Sequence, residues 1–177
     1  DEVAGEAGVP ILQHGLWLPV RRPEAAAVLE AFMATEMGEG CRLMTPDEAR
    51  ARSTETTGPD TVAALWSPHE LRVDSRTAIP RLAAWLEGRF GVEFLRQTVV
   101  QAVEPPRVVT GQGDVEASRV VVCPGDDLVS LFPDCLADAG LVRCKLQMMR
   151  LASPGFNLPA PVMSDLGLVR YGGYADL

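Results

Sequence analysis

Residues 67–74, Ser-Pro-His-Glu-Leu-Arg-Val-Asp, place five polar or ionisable side chains in eight positions between an apolar segment and a helical pattern. Connections of this kind often carry binding and catalytic groups. His69 could carry a proton near neutral pH, but spacing fixes no partner for it, and a solvated turn has the same composition. Cys123-Pro124-Gly125 follows a β-branched run, at the strand end where open α/β sheets present backbone to ligands; an ordinary strand-ending turn reads the same way. Residues 168–174 combine Arg170, Tyr171, Tyr174 and two glycines, a set suited to an anionic head group or to an edge strand with no ligand. Gly111-Gln112-Gly113 lacks the third glycine of a dinucleotide fingerprint, because Glu116 stands there and strand residues follow. It reads as a hairpin turn. No GxGxxG and no Walker A motif occurs in the chain.

The cysteines at 41, 123, 135 and 144 have no CxxC spacing, and only His14 and His69 could join them. No metal site is expected. The thiols are expected to be reduced and mostly buried, in a cytoplasmic protein.

These groups need a scaffold. The 177 residues, 47% apolar and 23% charged, can build a core. The net charge of -8 gives no attraction to nucleic acid or anionic lipid. The apolar runs are too short to span a membrane. The chain starts at Asp1 within what reads as the tail of a helix ending at Gly8, so it reads as a piece of something longer.

Residues 10–20 pattern as a strand with a bulge at Gly15. Pro23 opens a helix with Ala25, Val28, Leu29, Phe32 and Met33 on one face, and Gly38 and Gly40 stop it. Thr45-Pro46-Asp47-Glu48 is a capping box. Residues 53–60 are a loop, 61–66 return to a sheet, and 67–74 connect to a helix whose face is Ile79, Leu82, Ala83, Leu86 and Phe90, ended by Gly91. Thr77 as its N-cap would leave Pro80 at the third helical position, where the missing amide costs nothing; Ser75 as cap would cost a hydrogen bond. The period then shortens to that of strands at 98–103, 108–110, 115 and 119–123. The last is continuously apolar after Arg119 and reads as the most buried strand, covered on both faces. Residues 126–135 read as a helical turn or loop, 144–151 as a strand, 153–161 as a Pro-rich connection and 168–174 as a final strand.

In order, these pieces resemble the D-amino acid oxidase and glycine oxidase family of FAD-dependent oxidoreductases. The residues that carry the resemblance are Gly15-Leu16-Trp17, Thr45-Pro46-Asp47-Glu48-Ala49, Arg72-Val73-Asp74-Ser75, and Gly91-Val92-Glu93-Phe94 with Thr98-Val99-Val100-Gln101-Ala102-Val103. Ala117 to Gly125, similar to the family's "A..VVvaaG" strand, and Lys145 to Leu151 complete the set. The segment 67–81 is most similar to a bacterial branch linked to aminophosphonate breakdown.

The resemblance implies an α+β (α/β) chain forming a single truncated unit. Residues of about 9–75 and 140–177 would be a mixed β-sheet substrate domain with helices on one face, and about 76–139 part of an FAD-binding Rossmann-like domain. It implies FAD contacts at Val100, whose backbone would face the adenine, and at Cys123, Pro124 and Gly125, where cysteine and proline replace the family's small residues. Arg170 and Tyr171 are the substrate-side candidates, Arg170 pairing with a carboxylate or phosphonate, and His69 and Arg72 join them. The implied activity is hydride transfer from an amine-bearing carbon to flavin, with dioxygen or another electron acceptor and hydrolysis of the imine. The family's GxGxxG segment is absent, so the chain alone is expected neither to retain FAD nor to turn over. A bare apolar sheet face would drive homodimerisation. The alternative of a different class is a stand-alone binding module with no enzymatic role.

Overall fold

A computed structural model describes residues 2–170. They pack as two compact units: 2–92 with 153–170, and Glu93–Ala152.

The first unit begins with α1 (Glu2–Glu6), ended by Gly8 in left-handed backbone, as the sequence predicts. Its sheet has the order β1 (Gln13–Val20), β3 (Ala63–Arg72), β2 (Arg42–Met44), all antiparallel. Trp17 adds a parallel bridge to Val162, with its N–H donating to the Pro161 carbonyl at 2.8 Å. Between His14 and Leu16 of β1 lies only Gly15, whereas their partners Leu71 and Ser67 are separated by Pro68, His69 and Glu70. The bulge expected at Gly15 is there, and the extra residues lie on β3. Pro68, which has no N–H to give to a ladder, falls inside the irregularity. Gly15 sits at φ +80°, and a Cβ there would lie 2.5 Å from the Trp66 ring, so the position admits only glycine.

Helix α2 (Pro23–Met33) starts at its proline as predicted but stops short of both glycines, at Ala34, before a 3₁₀ turn (Glu36–Gly38). Gly38 instead allows close backbone approach: a Cβ would lie 2.8 Å from the Met33 Cα and the Phe32 carbonyl. Ala25 and Leu29 pack on Leu18, Val20 and Leu65, together with Leu168 and Val169 of α6 (Leu166–Arg170). Burying a side chain such as Leu29 contributes about 1.5–3 kcal/mol. The opposite sheet face holds Trp17, Met44 and Ala64 against Ala160 and against Ala49 of α3 (Pro46–Arg52), so a short helix covers this face as well. Helices on one face describes α2 and α6 only. The capping box of α3 is complete: the Glu48 amide donates to the Thr45 hydroxyl, and the Thr45 amide to Glu48 Oε2 at 2.9 Å. The Thr45 amide and then the Arg42 guanidinium hold the Glu48 carboxyl below its ordinary range.

Helix α4 (Ser75–Phe90) is capped by Asp74, whose side chain accepts from the Arg76 amide at 3.0 Å. Neither Thr77 nor Ser75 is the cap. Asp74, one residue before Ser75 and three before Thr77, takes the role with an anionic acceptor. Pro80 therefore lies inside the helix and leaves the Arg76 carbonyl without its intrahelical donor. Ala78 and Ala83 are its buried residues, while Ile79 and Phe90, expected on the core face, are exposed.

The second unit is a meander of β4 (Val100–Glu104), β5 (Arg107–Thr110) and β6 (Val115–Glu116), followed by α5 (Pro133–Asp138). Gly111-Gln112-Gly113 forms the β5–β6 turn, closed by the Thr110 hydroxyl on the Gly113 carbonyl. Two expected strands are missing. Residues 119–123 have no regular secondary structure, and Val121 is 84% exposed. Residues 144–151 are likewise irregular, with Met148 89% exposed. A β-branched apolar run becomes a doubly covered strand only when neighbouring strands take its amides and carbonyls, and none of the described residues pairs with either run.

The cysteines are all free, but three are exposed: Cys123, Cys135 and Cys144. The expectation of mostly buried thiols fails because these three lie in the unpaired or lightly packed stretches of the second unit. Among the described residues, no helix is long and apolar enough to cross a membrane.

Candidate functional site

In the second unit, Val100, Val103 and Val108 of the β4–β5 ladder face residues 120–124 and Leu131 across a groove of about 220 Å³. Val100 pairs with Thr110, and a register shift follows immediately before Ala102; such irregularities re-aim side chains at the rim of a sheet. Three of the four residues proposed to meet a flavin cofactor, Val100, Cys123 and Pro124, thus line one groove. Gly125 comes next in the chain at φ +64°, with nothing within 4 Å of the place a Cβ would take. The lining is aliphatic apart from the Cys123 thiol and contains no cation. Such a lining can make apolar contact with the face of a planar ring. It offers nothing for a pyrophosphate, which needs a glycine-rich turn and helix N-terminus or cationic side chains.

The substrate-side candidates are placed differently from the sequence reading. His69 and Arg72 lie on strand β3, not in a loop. The polar composition of 67–72 hides the strand because its pairing is backbone to backbone with Gln13 and His14, beyond the core. His69 Nε2 is 2.6 Å from the Glu39 carbonyl. A carbonyl can only accept, so Nε2 carries the proton in that contact and Nδ1 is the free ring nitrogen of the neutral form. The imidazole borders a cavity of about 560 Å³ with Phe32, Met37, Glu36 and Glu70. Arg72 donates through Nε to Gln13 Oε1 at 2.8 Å, and Gln13 donates in turn to the Leu158 carbonyl. Its role there is to fasten strand and connection. Arg170 ends α6, a helix where a strand was expected, and is exposed. The 168–174 segment reads as a strand from its β-branched and aromatic content, but Leu168 and Val169 lie on a helix and pack against the cluster that holds Ala25 and Leu29 of α2. Tyr171 lies outside the described residues. His69, Arg72 and Arg170 are not gathered into one cavity.

Sequence reasoning missed Asp165. Its carboxylate is buried, accepts from the Arg21 amide at 2.9 Å and from Arg22 Nη1 at 2.7 Å, and fixes the segment that carries Arg170 to the end of β1. It borders a cavity of about 640 Å³ with Arg21, Arg22, Thr54, Thr56 and Ser164. Burial pushes this carboxyl up, but the Arg21 amide and the Arg22 guanidinium outweigh it and hold the group below the ordinary 3.8. The signal available was an acidic residue in a stretch with no other between Asp138 and Asp176, and an Arg-Arg pair elsewhere in the chain. Among the described residues, no group of three His, Cys, Asp or Glu side chains could hold a metal ion.

The family model described as FAD dependent oxidoreductase matches residues 1–173. Among solved structures, the chain is similar to an L-proline dehydrogenase from P. horikoshii, with a TM-score of 0.60 and 21% identity over 71% of this chain and 35% of that one. It is also similar to glycine oxidases from Geobacillus kaustophilus (TM-score 0.53, 22% identity, 80% of this chain, 39% of that one) and Bacillus cereus (TM-score 0.51, 19% identity, 77% and 40%). The chain therefore spans between a third and two fifths of the length of these structures. At these identities the structural likeness establishes the fold. No curated protein matches.

Proposed function

The chain belongs to the DAO family of FAD-dependent oxidoreductases, and we propose that it forms the substrate-side sheet and one wall of the FAD site of a longer enzyme that oxidises a small amine, amino acid or aminophosphonate. The observation that carries this reading is the meeting of Val100, Cys123 and Pro124 in one groove. Bound FAD would supply the acceptor for the hydride leaving the amine-bearing carbon, with dioxygen or another acceptor taking the electrons onward. The chain's own contribution is position. The Val100 backbone and residues 120–124 would lie against a planar ring of the cofactor. On the first unit, Asp165 fixes the segment bearing Arg170, whose guanidinium pairs with the carboxylate or phosphonate of the substrate. Residues 9–75 and 140–177 belong to the substrate side and 76–139 to the cofactor side, in a cytoplasmic enzyme. The groove alone fits too little of FAD to retain it, so the isolated chain is inactive.

The test is oxidation by a chain extended to the length of its structural relatives, supplied with FAD and assayed against a panel of glycine, proline, primary amines and aminophosphonates. Peroxide formation or dye reduction with at least one class, lost when Val120→Glu places a charge against the half-buried lining of the groove, supports the proposal. No oxidation of any class by a flavin-loaded, folded chain refutes it.

A further inference from the structure

We infer that Arg52 is an oxyanion-recognition residue, the edge of its guanidinium taking the carboxylate or phosphonate group of a small molecule. The site lies wholly within the first unit and does not rest on the flavin reading.

Arg52 closes α3, and its Cζ stands 4.1 Å from the centre of the Trp66 ring and 6.0 Å from that of Trp17. Both indoles are fixed. Trp17 is fully buried, and its Nε1–H donates to the Thr56 hydroxyl at 2.8 Å, which donates to Ser53 Oγ at 2.8 Å. The Trp66 ring edge lies over Gly15 where no side chain could stand. The arginine is thus positioned by two aromatic faces and not by a counter-charge. Ring faces attract a cation but accept none of the five N–H donors at the guanidinium edge.

No described residue accepts from those donors. Arg21, Arg22, Arg42, Arg50, Arg76 and Arg107 each lie within 4.0 Å of a carboxylate; among the described arginines without one, Arg52 is the one held over indole rings. Arg52 is exposed and has no hydrogen-bond or ion-pair partner among the described residues. The nearby Glu55 accepts from the Ser53 hydroxyl instead, at 3.5 Å. In a chain of net charge -8, a pre-positioned cation left without a carboxylate is a vacant fork. Planar forked donors match carboxylate and phosphonate oxygens in pairs and match a halide poorly.

The experiment titrates methylphosphonate and, separately, acetate into the purified chain at constant ionic strength, with sodium chloride as control. Tryptophan emission is the readout, because two of the three indoles, Trp17 and Trp66, flank the site. The expected result is a saturable change with at least one oxyanion and none with chloride, weakened at least tenfold in Arg52→Gln. Whichever probe saturates at the lower concentration identifies the group preferred. No saturable change with either oxyanion, an equal response to chloride, or an unaltered response in Arg52→Gln overturns the inference. Should Arg52→Gln lose its fold by far-ultraviolet circular dichroism, Arg52→Lys carries the comparison. It keeps a charge over the indole but not the fork, and unchanged affinity in it overturns the inference equally.

Discussion

Asp165 allows a quantitative test of how the first unit holds its last segment. Replacing it with alanine leaves the part-buried Arg21 amide without its acceptor, a cost of about 1–3 kcal/mol. It also removes the pair with Arg22, whose side chain is 47% exposed, so that this loss is limited to about 0.5–1 kcal/mol. The expected destabilisation is about 1.5–4 kcal/mol. Asp165→Asn keeps an oxygen for the Arg21 amide and loses only the charge, which makes it the milder change at about 1 kcal/mol. Urea unfolding of the three chains at neutral pH, followed by tryptophan emission, measures the order. The pH dependence is also fixed in sign. The native carboxyl is held below the ordinary aspartate value of 3.8, so on acidification the unfolded chain takes up this proton first. The stabilisation from the charge is complete above that ordinary value and disappears as pH falls through the lower native one. The gap between wild type and Asp165→Asn must therefore close in acid. An alanine variant as stable as wild type, an asparagine variant as damaged as the alanine one, or a gap that widens in acid would refute the reasoning.

Other consequences follow from single contacts. Thr45→Ala removes the hydroxyl that accepts the Glu48 amide and should lower stability by about 1 kcal/mol, with Thr45→Ser restoring it, as read from urea midpoints. Gly15→Ala must place a methyl against the Trp66 ring and the Ser67 carbonyl in left-handed backbone, and about 2–4 kcal/mol should be lost from strain and overpacking together; a chain as stable as wild type contradicts the packing described. A thiol reagent should modify Cys123, Cys135 and Cys144 rapidly and the half-buried Cys41 slowly, and mass spectrometry of the quenched reaction would show four equal rates if the exposure were wrong.

Local signals with one physical solution were legible in the sequence. The Thr45–Glu48 box, Pro23 at a helix start, the Gly15 bulge and the Gly111–Gly113 turn each follow from hydrogen-bond or backbone requirements within a few residues. Signals that depend on distant partners were not. Residues 67–72 are a strand because Gln13 and His14 lie beside them, although their side chains read as a loop. Residues 119–123 and 144–151 have strand composition without a ladder. Arg170 falls on a helix because Leu168 and Val169 meet α2, a tertiary contact that outweighs β-propensity. The grouping of Val100 with Cys123 and Pro124 was legible only through family resemblance, since nothing in their spacing brings 100 and 123 together. Asp165 stayed hidden because its partners, Arg21 and Arg22, are more than 140 positions away.

The central claim is that this chain supplies part of the wall of a flavin site that it cannot complete alone. Visible absorption during FAD titration tests it most directly, with this chain and the chain extended to its relatives' length measured side by side. The account predicts the shifted, structured spectrum of bound flavin in the extended chain and free-flavin absorption in this one, with binding by the extended chain weakened by Val120→Glu. Free-flavin absorption in both would contradict it.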